Sequence, residues 1–74
     1  MLNIFKIYDN QNKSLDRYTV LTSPTDCLGL SSDPDNPQGF SQWGNCVDGI
    51  HLGKQITFNE LPVNIQNHII ERLR

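Results

Sequence analysis

The sequence has no run of like charges, no long apolar stretch and only two cysteines, and each shortage narrows what the chain can do. Six basic and eight acidic residues are scattered to a formal charge of −2, so the basic stripe that grips a nucleic-acid backbone is missing. No apolar stretch approaches the roughly 18 residues of a membrane-spanning helix, so no membrane role is expected. The opening "MLNIFKIYDN" places a lysine and polar side chains where a signal peptide carries its apolar region, which predicts a cytoplasmic location. Cys27 and Cys46 form no C-x-x-C pair, and without an export signal they are expected as reduced thiols. Gly39, Gly44, Gly49 and Gly53 recur at short intervals, yet no Walker pattern accompanies them. Turns explain them sufficiently.

What remains is a chain of 74 residues that is 36% apolar and 19% charged, enough for one folded domain over residues 1–74 with a modest core. Residues 2–9 alternate imperfectly, and 16–22 are rich in β-branched and aromatic side chains, so the two runs predict a hairpin. Pro24 suits a turn, and 27–31 place Leu28 and Leu30 on one face of a third strand around Gly29. Residues 54–58, with Ile56 and Phe58 on one side, predict a fourth. From about 60 to 73 the period changes. Pro62 suits a first helical position, Ile65, Ile69, Ile70 and Leu73 form one stripe, and Arg72 and Arg74 complement the helix dipole.

This order predicts an α+β fold. A small, mainly antiparallel sheet of three to four strands carries the C-terminal helix on one face, and a long ordered loop, 32–53, is left to cover the other face or wrap an edge.

The strings "DRYTV", "LGLSSDPDNPQGFSQWG", "HLGKQITFNELP" and "IQNHIIERL" together resemble a family of small proteins from bacteriophages, prophages and bacterial mobile elements, over about Tyr8 to Leu73. That family has no assigned activity, so the resemblance implies a setting and no catalytic residues. The function it implies is that of a phage or mobile-element accessory protein that binds and modulates a host or phage protein.

The loop is where such binding is expected. A connection of this length in a small domain is usually functional or disordered, and Phe40, Trp43, Val47, Ile50 and Leu52 are too apolar for a linker. Pro34 and Pro37 among Asx residues stiffen the chain. "GFSQWG" then brackets two aromatics with glycines. Pro37, Gln38, Phe40, Gln42, Trp43 and His51 are the expected partner-binding residues, since Trp is over-represented among side chains that dominate interfaces. The competing reading places Trp43 and Phe40 in the core, which a domain this small needs to fill.

Cys46, Asp48 and His51 supply the side-chain types of an activated nucleophile, and Cys27, Cys46, His51 and His68 those of a zinc site. Such groups normally meet from distant segments, and the spacings lack close ligand pairs. The expectation is therefore a non-catalytic protein without cofactor or metal, the alternative being a small enzyme or metal-binding module centred on Cys46 and His51. A homodimer through an uncovered sheet face or edge is a third outcome.

Overall fold

The computed structural model describes residues 4–11, 17–34, 36–39 and 41–73. Strands β1 (Lys6–Asp9), β2 (Tyr18–Leu21), β3 (Asp26–Leu30), β4 (Ser41–Asn45) and β5 (Lys54–Ile56) precede helix α1 (Val63–Leu73), with single 3-10 turns at Ile50–Leu52 and Phe58–Glu60. All five strands join one antiparallel sheet in the order β4-β3-β2-β1-β5. No helix among the described residues is long and apolar enough to cross a membrane.

The α+β class and the C-terminal helix agree with expectation, but the count of three to four strands does not. The added strand is β4, inside the segment read as loop. Its sequence, Ser-Gln-Trp-Gly-Asn, has one good strand former in five residues. Pairing to β3 holds it there, from Asp26 opposite Asn45 to Leu30 opposite Ser41. The strand expected over 54–58 is also shorter. Thr57 donates from its backbone N–H to the Glu60 carboxylate at 2.6 Å and from its hydroxyl at 3.1 Å, which turns Phe58 out of β5 and into a helical turn. Leu2, Asn3 and Asp16, expected to begin two of the strands, lie outside the described residues.

Two-residue alternation sorts the side chains onto two faces. On one, Ile7, Tyr18, Val20, Leu28 and Leu30 meet Leu61, Ile65 and Ile69 in a single cluster, joined at its margin by Ile56, Phe58 and Leu73. Val20, Leu28, Leu30, Ile65 and Ile69 are fully buried, each contributing about 1.5–3 kcal/mol through burial. The helix begins one residue later than Pro62. The Pro62 carbonyl accepts the first helical bond, from Gln66 N–H at 3.0 Å, so the proline acts as cap rather than as first helical residue.

On the other face Tyr8, Leu21 and Cys27 form a second buried cluster, against which Cys46 and Leu52 pack. Both belong to the connection from β4 to β5, which joins opposite edges of the sheet and crosses this face as a strap. Strands β2 and β3 are thereby shielded on both sides, and apart from Asp26 every residue in them is buried.

The strap reaches β5 through Gly53, whose φ of 118° is one that L side chains rarely adopt. A Cβ there would sit 2.4 Å from the Asp9 carbonyl oxygen and 2.6 Å from Asn10 Cα, both backbone atoms of the neighbouring strand end. Gly53→Ala is expected to lower stability by at least about 2 kcal/mol. At Gly44 a Cβ would meet nothing within 4 Å, and Gly44→Ala should stay within about 0.5 kcal/mol of wild type. Urea denaturation of the two variants side by side measures the contrast.

Candidate functional site

The segment that follows β3 is built from consecutive turns. Asn36 N–H donates to the Asp33 carbonyl at 3.2 Å, Gly39 N–H to the Asn36 carbonyl at 2.8 Å, and Gln38 N–H to the Asn36 side chain at 2.9 Å. The last is an Asx turn, the use that asparagine side chains favour in tight loops. Pro37 and Gln38 lie exposed on its outside. Phe40 lies outside the described residues.

The chain then enters β4 at the sheet edge. Trp43 stands opposite Leu28, which places its ring on the helix face, at the rim of the main core. It is nevertheless 48% exposed. Its one described ring contact is the Arg72 guanidinium, 5.8 Å from the centroid, a cation–π arrangement that holds the indole against the end of α1. The side chain expected either to fill the core or to stand ready for a partner thus lies at the boundary. Gln42, next along β4, is exposed and opposite Gly29, so its side chain leaves toward the strap face.

His51 sits apart from these residues, exposed in the 3-10 turn of the strap, with its ring over Gly49 at 3.0 Å from where a Cβ would be. Trp43 and Gln42 are therefore neighbours on one edge and Pro37 and Gln38 belong to the turn leading into it. His51 serves the opposite face.

Between strap and β4 lies a groove of about 230 Å³, its walls including Thr19, Cys27, Gly29, Gly44, Cys46 and Leu52. That is smaller than the roughly 300–1,000 Å³ of typical small-molecule sites. Cys27 and Cys46 are both thiols, and Cys46 is half-buried in the apolar cluster. Among the described residues no three metal-binding side chains converge.

Asp48 has a different role from the one its closeness to Cys46 and His51 suggested. Its carboxylate accepts from Lys6 Nζ at 2.8 Å and from the Tyr8 hydroxyl at 2.5 Å, both on β1 and about 40 residues away in sequence. These bonds latch the strap to the sheet. The Lys6 bond, followed by the Tyr8 bond, holds the Asp48 carboxyl below its ordinary value, and the same bonds raise Lys6 and Tyr8 above theirs. A second polar clasp closes the β1–β2 hairpin, where Arg17 donates to Asp9 at 3.0 and 3.3 Å. Burial pushes the Asp9 carboxyl up, but Arg17 and the Gln11 N–H outweigh it and leave the group below its ordinary value.

Nothing local in the sequence marks the latch: Lys6 and Tyr8 read as alternating strand residues and Asp48 as a loop carboxylate. In sequence Arg72 reads as a dipole partner alone, and its contact with Trp43 depends on a sheet edge that the sequence pattern does not reveal. Compared with known proteins, the chain matches no family model, no curated protein and no solved structure.

The latch has a defined pH window. A carboxyl with a depressed folded-state pKa contributes stability that is fully present above its unfolded value, near 3.9, and is lost as pH falls through the folded value. Lys6 and Tyr8, raised when folded, contribute stability that is present below about pH 10 and lost above it. Asp48→Asn is expected to flatten the acid limb of the stability–pH curve below about pH 4 and to speed alkylation of Cys46 at neutral pH as the strap loosens. Urea midpoints across pH 2.5–7 and thiol-modification rates are the measurements; an unchanged acid limb would show that Asp48 does not hold the strap.

Proposed function

We propose that this chain is a small non-catalytic binding protein, a cytoplasmic accessory of a bacteriophage or mobile element, that binds and modulates a host or phage protein through β4 and the turn leading into it. The observation that supports this most is Trp43: a large aromatic, half exposed, on an edge strand whose outer side has no neighbour in the sheet among the described residues. An edge of this kind accepts an extended segment of another protein as an additional strand, main-chain bonds supplying affinity and side-chain pockets specificity. Arg72 above the indole and the turn over Asp33–Gly39 hold the surface in shape before binding, which lowers the ordering cost of association. Pro37 and Gln38 belong to the turn before the strand, Gln42 leaves β4 on the face opposite the indole, and His51 on the strap lies outside this patch. No cofactor or catalytic step enters this reading.

Tagged protein used to capture partners from a host lysate tests it. Trp43→Ala is expected to weaken capture about 30-fold, the effect of losing an interface anchor worth some 2 kcal/mol, with far-UV circular dichroism and thermal midpoint close to wild type. Capture at wild-type strength by a folded Trp43→Ala protein would remove the proposal.

A further inference from the structure

The backbone groups of β4 divide cleanly between inside and outside. Cys46 N–H donates to the Thr25 carbonyl at 3.0 Å, which continues the β3–β4 register. Antiparallel alternation then turns the N–H and C=O of Gln42 and Gly44 toward β3, and those of Ser41, Trp43 and Asn45 toward the open edge.

The strand is also close to symmetric about Trp43. If a second copy of β4 is laid antiparallel along that edge with a two-fold axis at Trp43, Trp43 faces Trp43, Ser41 faces Asn45 and Gln42 faces Gly44. Each Trp43 N–H then meets the carbonyl of the other, and Ser41 and Asn45 exchange the same bonds on either side. On the helix face the indoles lie side by side, each under its own Arg72. On the strap face the long Gln42 side chain comes opposite a glycine, above which a Cβ would meet nothing within 4 Å.

Charge along the strand does not oppose the pairing. Ser41–Asn45 carries no charged residue and no proline, the devices by which edge strands usually repel one another, so two copies of net charge −2 meet along a neutral stripe. The opposite edge, β5, spans only Lys54–Ile56 and opens on a lysine, which discourages growth beyond two.

We propose that β4 pairs with β4 of a second copy about a two-fold axis at Trp43, a closed dimer that caps the edge until an outside partner takes its place. It concerns the binding edge proposed above but does not depend on an outside partner existing. The area sets its strength: each Trp43 has only about 100 Å² left to bury, and a strand of this length falls short of the roughly 1,200 Å² of stable interfaces. The dimer is weak and concentration-dependent.

Analytical ultracentrifugation from about 10 μM to 1 mM, a range suited to interfaces below the standard size, reads it directly. The wild type is expected to shift from monomer toward dimer across that range. Asn45→Pro removes an outward N–H and no bond to β3, a substitution edge strands tolerate, and Trp43→Lys sets like charges across the axis. Both variants are expected to remain monomeric and folded, with at least a tenfold weaker association. A mixed labelled and unlabelled sample should give intermolecular NMR contacts between Trp43 residues. A wild type that stays monomeric at 1 mM, or a dimer that forms equally well in both variants, overturns the proposal. A wild type that stays monomeric at 1 mM yet captures a partner, with capture lost in Trp43→Ala, would sink the dimer and leave the binding reading intact; a wild-type dimer that captures nothing does the reverse.

Discussion

Strands β4 and β5 lie at opposite edges of the sheet, yet only residues 46–53 separate them in sequence. That connectivity constrains everything else. The segment has to cross a face of the sheet, and since α1 occupies one face, the strap takes the other. Uncovered, this face would leave Leu21 and Cys27 against water. A few apolar contacts and one carboxylate shared between Lys6 and Tyr8 take the helix's place. The strap accordingly divides its tasks: Cys46 and Leu52 exclude water, Asp48 fixes position, and Gly53 allows the close approach to β1 by which the chain becomes β5.

Covering both faces leaves the outer edge of β4 without a sheet neighbour among the described residues. The helix end reaches Trp43 through Arg72, and the strap departs from the strand's other end. The same economy that completes the core therefore creates, among the described residues, a stretch of edge strand that combines outward-facing backbone groups with a half-exposed indole. The functional proposal follows from geometry more than from residue chemistry: Cys46, Asp48 and His51, the chemically suggestive group, are dispersed into packing, latch and solvent, whereas the chemically plain Ser-Gln-Trp-Gly-Asn lies at the rim.

What was legible in the sequence follows the same division. β1, β2 and β3 announce themselves by alternation and β-branched residues, and α1 by the stripe through Ile65 and Ile69, because those patterns are driven by burial on a regular element. β4 carries no such pattern. Only its partner strand makes it a strand, and the partner's side chains Leu28 and Leu30, which gain the burial, lie in a different part of the chain. The expectation of a loop over 32–53 thus lacked a strand, while Cys46 and Leu52 of that segment pack against the second cluster. Phe58 was assigned to β5 because apolar spacing fitted, while the Thr57–Glu60 cap that diverts it is a local polar signal of equal strength. Long-range polar contacts such as Lys6–Asp48 leave no periodic trace at all.

The latch and the edge are mechanically linked, since the strap begins where β4 ends. Cys46 bonds to Thr25 with its N–H and packs into the second cluster with its side chain, so the strand's last hydrogen bond and the strap's first apolar contact reside in one residue. Along its length the pairing to β3 sets its register. An edge strand so held presents its outward N–H and C=O groups in a fixed row, and a partner strand would meet them without first having to order them. Loosening the strap would let the end of β4 fray and return part of that ordering cost to any binding event. A carboxylate on the far side of the sheet would in this way tune the proposed recognition at the β4 edge, through the register of a single strand.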